Sequence, residues 1–330
     1  MPERTTITQV TQIGLETTPG TAVPANKRLR SVSIELSPDG NIDTFRASGS
    51  KYPALASLGK EWAGGDIEGR ATYTELMYLF AGLLGDPTTS TPGGATLARQ
   101  HQWLIQPTAL QDGRAFTVEK GSSVRAHRAP YSVINELGLE FSRESIEVSG
   151  SLMARRVEDG VSLTAGPTLL ALEPILPSQV SVYLDPLWAN LGTTKLIRVL
   201  GASFNIGDRF GALWPLDSAQ PSYAATFEIE PSSEIGLTME ADAAGMGILP
   251  TMRNGTEAAL RIEAKGAEID VGVALSAYRL TLDLPVKVTE LPDMSDQDGI
   301  YGVEWTYSLF DSALAASAGR IQLVNAITAL

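Results

Sequence analysis

Cysteine is absent from the 330 residues, and histidine occurs only at His101 and His127. Without thiols there is no disulfide framework, no thiolate metal site and no cysteine nucleophile. Two histidines cannot furnish a three-histidine zinc site, and neither stands in an H-E-x-x-H pattern. Positive charge is also scarce: 25 Lys and Arg against 38 Asp and Glu leave a net charge of −13. A groove that grips nucleic-acid phosphates needs clustered Lys and Arg, so such a groove is not expected. Long hydrophobic runs are missing too. The longest apolar stretches, such as Leu76 to Leu84, are about half of the ~20 residues that a helix needs to cross a bilayer. Met1-Pro2-Glu3-Arg4-Thr5 lacks the basic-then-apolar layout of a secretion signal. Neither membrane insertion nor secretion is therefore expected.

Catalytic motifs are equally thin. Ser48–Lys51 and Ser57–Lys60 match S-x-x-K, but both lie in a Gly-rich stretch without partner motifs. Asp296-Gln297-Asp298-Gly299 resembles part of a calcium loop, yet Trp305 occupies the position of the bidentate glutamate. A turn between two strands is the simpler reading of that Asp-Gly. No phosphate loop or dinucleotide fingerprint occurs. No catalytic residue, metal site or cofactor is expected.

What the sequence does contain is alternation between dense breaks, with 31 Gly and 19 Pro punctuating the chain. Tyr278, Leu280, Leu282, Leu284, Val286 and Val288 are apolar at every second position, the pattern of a half-buried strand. Val303–Leu309, Val32–Leu36 and Leu137–Phe141 repeat it, and shorter runs recur around Phe204, Phe227, Leu237 and Leu260. Helical spacing is rare: Thr72–Leu84, stopped by Gly85-Asp86-Pro87, and a weaker stretch from Asp242 to Met252. The fold class is mainly β.

In each half a pair of strands leads into one helix, and a long hairpin follows, from Val133 to Arg156 and from Ala277 to Leu309. That order predicts two β-sandwich or barrel units, 1–165 and 166–330, each with one flanking helix. Their joint falls near Pro167, Pro174 and Pro177. Two unrelated β units remain the alternative. Charge divides unevenly, −2 in the first half and −11 in the second.

Residues 12–30 carry the most specific signal. Gly14, Glu16, Thr17, Thr18, Gly20, Thr21, Ala22 and Ala25 precede a basic residue and the first strand. This segment resembles the opening of the tail tube (major tail) proteins of long-tailed, non-contractile bacteriophages. Trp62-Ala63-Gly64-Gly65 resembles the segment before that family's helix, and Gly319–Ala326 its closing strand. The resemblance implies a β-sandwich flanked by a helix, with inner sheets that join across subunits into one barrel. It also implies stacked rings through which DNA passes at ejection, without specific binding. The partners implied are further copies of the chain, a tape measure protein, and tail terminator or baseplate proteins. The location implied is the virion tail, assembled in the host cytoplasm. Many members are about half this length, so trimeric rings of a duplicated unit and hexameric rings of one unit with a decoration both remain open. A non-enzymatic β-sandwich binding module of a capsid or host-cytosolic protein is the alternative from another class.

Within that reading the candidate lumen acids are Glu35, Glu140, Glu147, Glu230 and Asp283. A net acidic lumen would repel a sliding polyanion. Asp39–Gly65 reads as a long loop whose Phe45, Tyr52, Leu55, Leu58 and Trp62 are candidates for ring stacking. The N-terminal motif, Gly14, Glu16, Thr17, Pro19, Gly20 and Thr21, lies in a segment expected to lack regular structure and to run along a neighbouring subunit.

Overall fold

Alternating segments can bury one face only by pairing, and the computed structural model places most of the chain in antiparallel ladders. It describes residues 7–217, 221–290, 294–297 and 299–330. In the first half the main strands are β1 (Val10–Leu15), β2 (Val32–Phe45), β3 (Leu55–Arg70), β4 (Phe116–Gly121), β5 (Ala126–Phe141), β6 (Ile146–Ala154) and β7 (Glu158–Val161). Helix α1 (Leu76–Leu84) lies between β3 and β4. β1 pairs with β4, and β4 with the start of β5, which also pairs with β7. The end of β5 pairs with β6, β6 with β3, and β3 with β2.

The second half repeats this order. Its strands are β8 (Val180–Asp185), β9 (Val199–Gly207), β10 (Ser232–Glu240), β11 (Ala258–Glu268), β12 (Ala277–Val288), β13 (Met294–Gln297), β14 (Ile300–Leu309) and β15 (Gly319–Asn325). Short helices α2 (Ala243–Met246) and α3 (Leu249–Arg253) follow β10. β8 pairs with β11, β11 with β12, and β12 with β15. β12 and β13 both pair with β14, β14 with β10, and β10 with β9. β12 and β13 together thus stand where β5 stands in the first half.

In the long sheet the halves meet at Leu137–Phe141 of β5 against Ala202–Ile206 of β9. A single sheet therefore runs β2-β3-β6-β5-β9-β10-β14-β13. It is open: among the described residues β2 pairs only with β3 across its length, and β13 only with β14. The described residues by themselves close no barrel. The halves are also interlocked, because Arg99–Ile105 from the first half pairs with β15 of the second. Residues 168–175 belong with the first half. Thr168–Leu169 pairs with Lys27–Arg28, and Tyr73 N donates to Glu173 O.

One face of the long sheet is apolar: Ile34, Ile67, Leu139, Phe204, Leu237 and Trp305 all point into a continuous core. Helix α1 packs there and is buried all round, which explains why its sequence has no polar stripe. It ends at Gly85, whose φ of 86° suits glycine, while the Gly85 amide donates to Ala81 O at 2.9 Å. α1 and α2 each open on a side-chain acceptor: Thr72 Oγ1 takes the Glu75 amide at 3.2 Å, and Asp242 Oδ1 the Gly245 amide at 2.9 Å.

Three expectations change. β12 is not half-buried: Thr281 and Asp283 are buried as well, because β11 and β15 flank the strand. Asp39–Gly65 is not a loop but the extension of β2 and β3 into a two-stranded arm that turns at residues 46–54. The segment Gln12–Lys27 begins inside strand β1.

Candidate functional site

The opposite face of the long sheet is polar, and ladder register assembles it from strands far apart in sequence. One row runs Glu35, Asp66, Ser151, Glu136. The next runs Ser33, Glu68, Ser149, Gly138, Asn205, Glu234. A third runs Arg70, Glu147, Glu140, Ser203, Gly236, Thr306, and Glu304 follows opposite Thr238. Carboxylates are interspersed with Ser, Thr and Gly and outnumber the one arginine of these rows, Arg70, so the face is negative. Glu140 sits directly across from Glu147, a like-charge pair that costs stability when directly opposed. Arg70 offsets part of it, 3.9 Å from Glu147. Lys120 of β4 reaches round to pair with Glu35.

Of the five carboxylates expected to act together, Glu35, Glu140 and Glu147 share this face. Asp283 does not join them as a solvated acid. It is fully buried, with Arg261 Nε at 2.6 Å and Arg320 Nη2 at 2.6 Å. The hydrogen bond to Asp283 also raises the Arg261 pKa. Glu230 lies in the connection before β10, beside a cavity lined by Gln106, Leu110, Arg209 and Pro231. Sequence reading missed Asp66, Glu68, Glu136, Glu234 and Glu304. Asp66 and Glu68 do alternate with Gly65, Ile67 and Gly69, which is the signal that could have found them. Among the described residues no three His, Asp or Glu side chains converge as a metal site.

The N-terminal motif is bound into its own chain. Glu16 is buried and accepts from the Gly20 amide (2.6 Å), the Thr117 hydroxyl (2.8 Å) and the Tyr131 amide (2.8 Å). One carboxylate thereby satisfies a turn, β4 and β5, which a shorter or neutral side chain cannot do. Gly20 has φ of 84°, and a Cβ there would lie 2.5 Å from the Arg155 guanidinium. Gly14 faces the Pro24 carbonyl, which a Cβ would approach to 2.7 Å. Pro19 and Thr21 complete the turn, with the Thr21 amide donating to Thr18 O at 3.0 Å. The side chains that define the motif are therefore those that close this loop.

A family described as phage tail tube protein matches residues 7–207, more than half of the chain. The chain belongs to the phage tail tube protein family. No curated protein matches it. The match spans the motif, the acidic strands β2, β3, β5 and β6, and the seam with β9. Membership carries a structural role in the tail tube, self-assembly and a place in the virion tail.

In this tail tube protein the β2–β3 arm projects from the sheet. Phe45, Tyr52, Leu55 and Leu58 are exposed along it, together with Ile42. Trp62 differs: it packs edge-on against Trp214 with ring centroids 5.6 Å apart. Trp214 belongs to the β9–β10 connection, where strands Phe210–Leu213 and Ala225–Glu228 pair with each other. That connection stands where the arm stands in the first half, but it folds back onto the first half. Tyr223 there is fully buried, 5.1 Å from the Tyr131 ring.

Proposed function

We propose that the acidic face of the long sheet lines the channel of a tail tube, through which DNA leaves the virion without being held. The observation that carries the reading is the face itself, a band of carboxylates, serines and glycines spread over both halves of a tail tube family chain. Such a surface repels a polyanion at short range, within the roughly 8 Å screening length of physiological salt. It offers no Lys or Arg cluster that would arrest the strand.

The two halves are read as a duplicated tube unit, and rings of three chains follow from that duplication. Support comes from the recurrence of the pairing order, with β12 and β13 together in the place of β5. The boundary then falls near residue 176 rather than 165, because residues 168–175 pair with the first half. The exposed apolar groups of the β2–β3 arm serve ring-to-ring stacking. A two-stranded arm with free edges and unburied Phe45, Tyr52 and Leu55 needs cover to stay soluble. The protein is non-enzymatic, belongs to a non-contractile phage tail, and is assembled in the host cytoplasm around a tape measure protein and capped by terminator and baseplate proteins.

Electron microscopy of the purified protein tests this. Stacked annuli with threefold class averages are expected. A persistent monomer at high concentration overturns the tube reading, and sixfold averages overturn the duplicated-unit stoichiometry.

A further inference from the structure

The seam inside the chain carries a template for a seam between chains. Aligning the sequence on the helix-entry acceptors Thr72 and Asp242 places Gly65 of β3 on Ile235 of β10. Ladder partners then follow without further choice. Gly65 pairs with Leu36 and Leu152, whereas Ile235 pairs with Phe204 and Tyr307. Leu36 thus corresponds to Phe204, and Val148 to Val303. The partner of Val148 is Leu139, and the partner of Val303 is Met294. Within the chain Leu139 lies opposite Phe204, and Glu140 opposite Ser203. The corresponding pairs are Met294 with Leu36 and Ser295 with Glu35, and they lie at the two free edges of the same sheet.

Two independent features agree. At the internal seam Leu139 and Ile146 are 1% and 2% exposed, whereas their counterparts Met294 and Tyr301 are 62% and 76% exposed. The β5–β6 tip, Phe141–Ile146, also forms one wall of a cavity of about 320 Å³, facing Val180–Val182 and Lys195–Ala202. The equivalent first-half groove, Gln9–Thr11 with Arg28–Ser33, is larger, about 480 Å³, and among the described residues no hairpin lines it. Its walls carry Arg28 and Arg30, while the β13–β14 tip carries Asp296. Charge complementarity favours that hairpin over the first half's own tip, where Arg143 and Glu144 cancel.

We infer that the β13–β14 hairpin of one copy enters the Gln9–Thr11/Arg28–Ser33 groove of a second copy, extending β2 with Ser295 opposite Glu35 and Met294 opposite Leu36. The inference rests on the ring reading above and adds its contact residues and register. The contact is head-to-tail, so repetition closes a ring if the rotation allows. Glu35 and Ser295 then continue the acidic face across the boundary. The Val32 amide donates to Glu75 and the Ile34 amide to Thr11, so even-numbered amides of β2 point away from β3. Glu35 and Ser295 would accordingly form a non-hydrogen-bonded pair, with the closer side chains.

The absence of native cysteine makes the test clean. Glu35→Cys with Ser295→Cys, oxidised mildly after assembly, should run on a non-reducing gel as a ladder ending in a closed oligomer. The reductant should return it to monomer. Ser33→Cys with Ser295→Cys, two residues out of register, should stay monomeric, because diagonal Cβ atoms lie too far apart for a disulfide. Should the double variant fail to fold, mixing the two single variants should give covalent dimers and nothing larger. Rings in the microscope without the Glu35–Ser295 link overturn this register and leave the tube reading standing. Linkage of the shifted pair alone overturns it as well. Absence of both rings and links overturns the tube reading with it.

Discussion

Replacing Glu16 by alanine should unfold the first half of the chain more readily than any surface change of equal size. Glu16 Oε1 receives the Thr117 hydroxyl and the Tyr131 amide at 2.8 Å each, and Oε2 receives the Gly20 amide at 2.6 Å. Truncation strands three donors around a site that water does not reach. Hydrogen bonds to a charged acceptor contribute about 1.5–3 kcal/mol each, and a buried group left unmade costs about 1–3 kcal/mol. Allowing for relaxation of the Thr117 rotor, the total is about 3–5 kcal/mol. At about 2–4 °C per kcal/mol for domains of 150–250 residues, the melting temperature should fall by roughly 10 °C. Glu16→Gln should lose about half as much, because Oε1 keeps its two donors while the amide nitrogen confronts the Gly20 N–H. Calorimetry of the three proteins under one buffer is the assay. A fall of under about 2 °C for Glu16→Ala would refute the assignment of Glu16 as the closure of this loop.

Other consequences are as direct. Asp283→Asn should cost about 2–3 kcal/mol in urea denaturation, since Arg261 and Arg320 lose their shared anion and are only partly exposed to water. Gly20→Ala should be destabilising through both its φ of 84° and the Arg155 contact, and Arg155→Ala should relieve only the second. Burial lowers the His101 pKa below 6.5, with Nε2 donating to Asn325 Oδ1 and Ile327 O. The unfolded chain therefore binds the extra proton first, so stability is full above pH 6.5 and declines as pH falls below it. Melts at pH 7.5 and 5.5 should show this, with the difference reduced in His101→Gln. Glu140→Lys with Glu147→Lys should leave assembly intact yet make tubes retain duplex DNA at low salt, and release it as salt rises. Salt-independent behaviour would place those residues away from the DNA path.

Much of the fold was legible because alternation has a period that sequence displays directly. Leu137–Phe141 and Val303–Leu309 are strands for that reason. What alternation cannot give is whether the second face is covered. Asp283 reads as solvated from Arg279, Thr281 and Lys287, but Arg261 and Arg320 approach from strands 22 and 37 residues away. The arm reads as a loop because Asp39–Gly65 is long and shows no evident helix, whereas pairing on both sides of a bulge at Asn41 holds it as a hairpin. The acidic face was only partly legible: Glu35, Glu140 and Glu147 stood out on clear strands. Asp66, Glu68 and Glu136 became neighbours of Glu35 only through ladder register. The N-terminal motif was recognised as a pattern, but its cause, a buried carboxylate closing a turn, required Thr117 and Tyr131 about 100 residues on.

A reconstruction of the assembled tube at side-chain resolution tests the central claim most directly. The account predicts Glu68, Glu140, Glu147 and Glu234 on the channel wall, with α1 on the outer side of the sheet. A tube whose channel is lined by the α1 side, with those carboxylates facing outward, would contradict it.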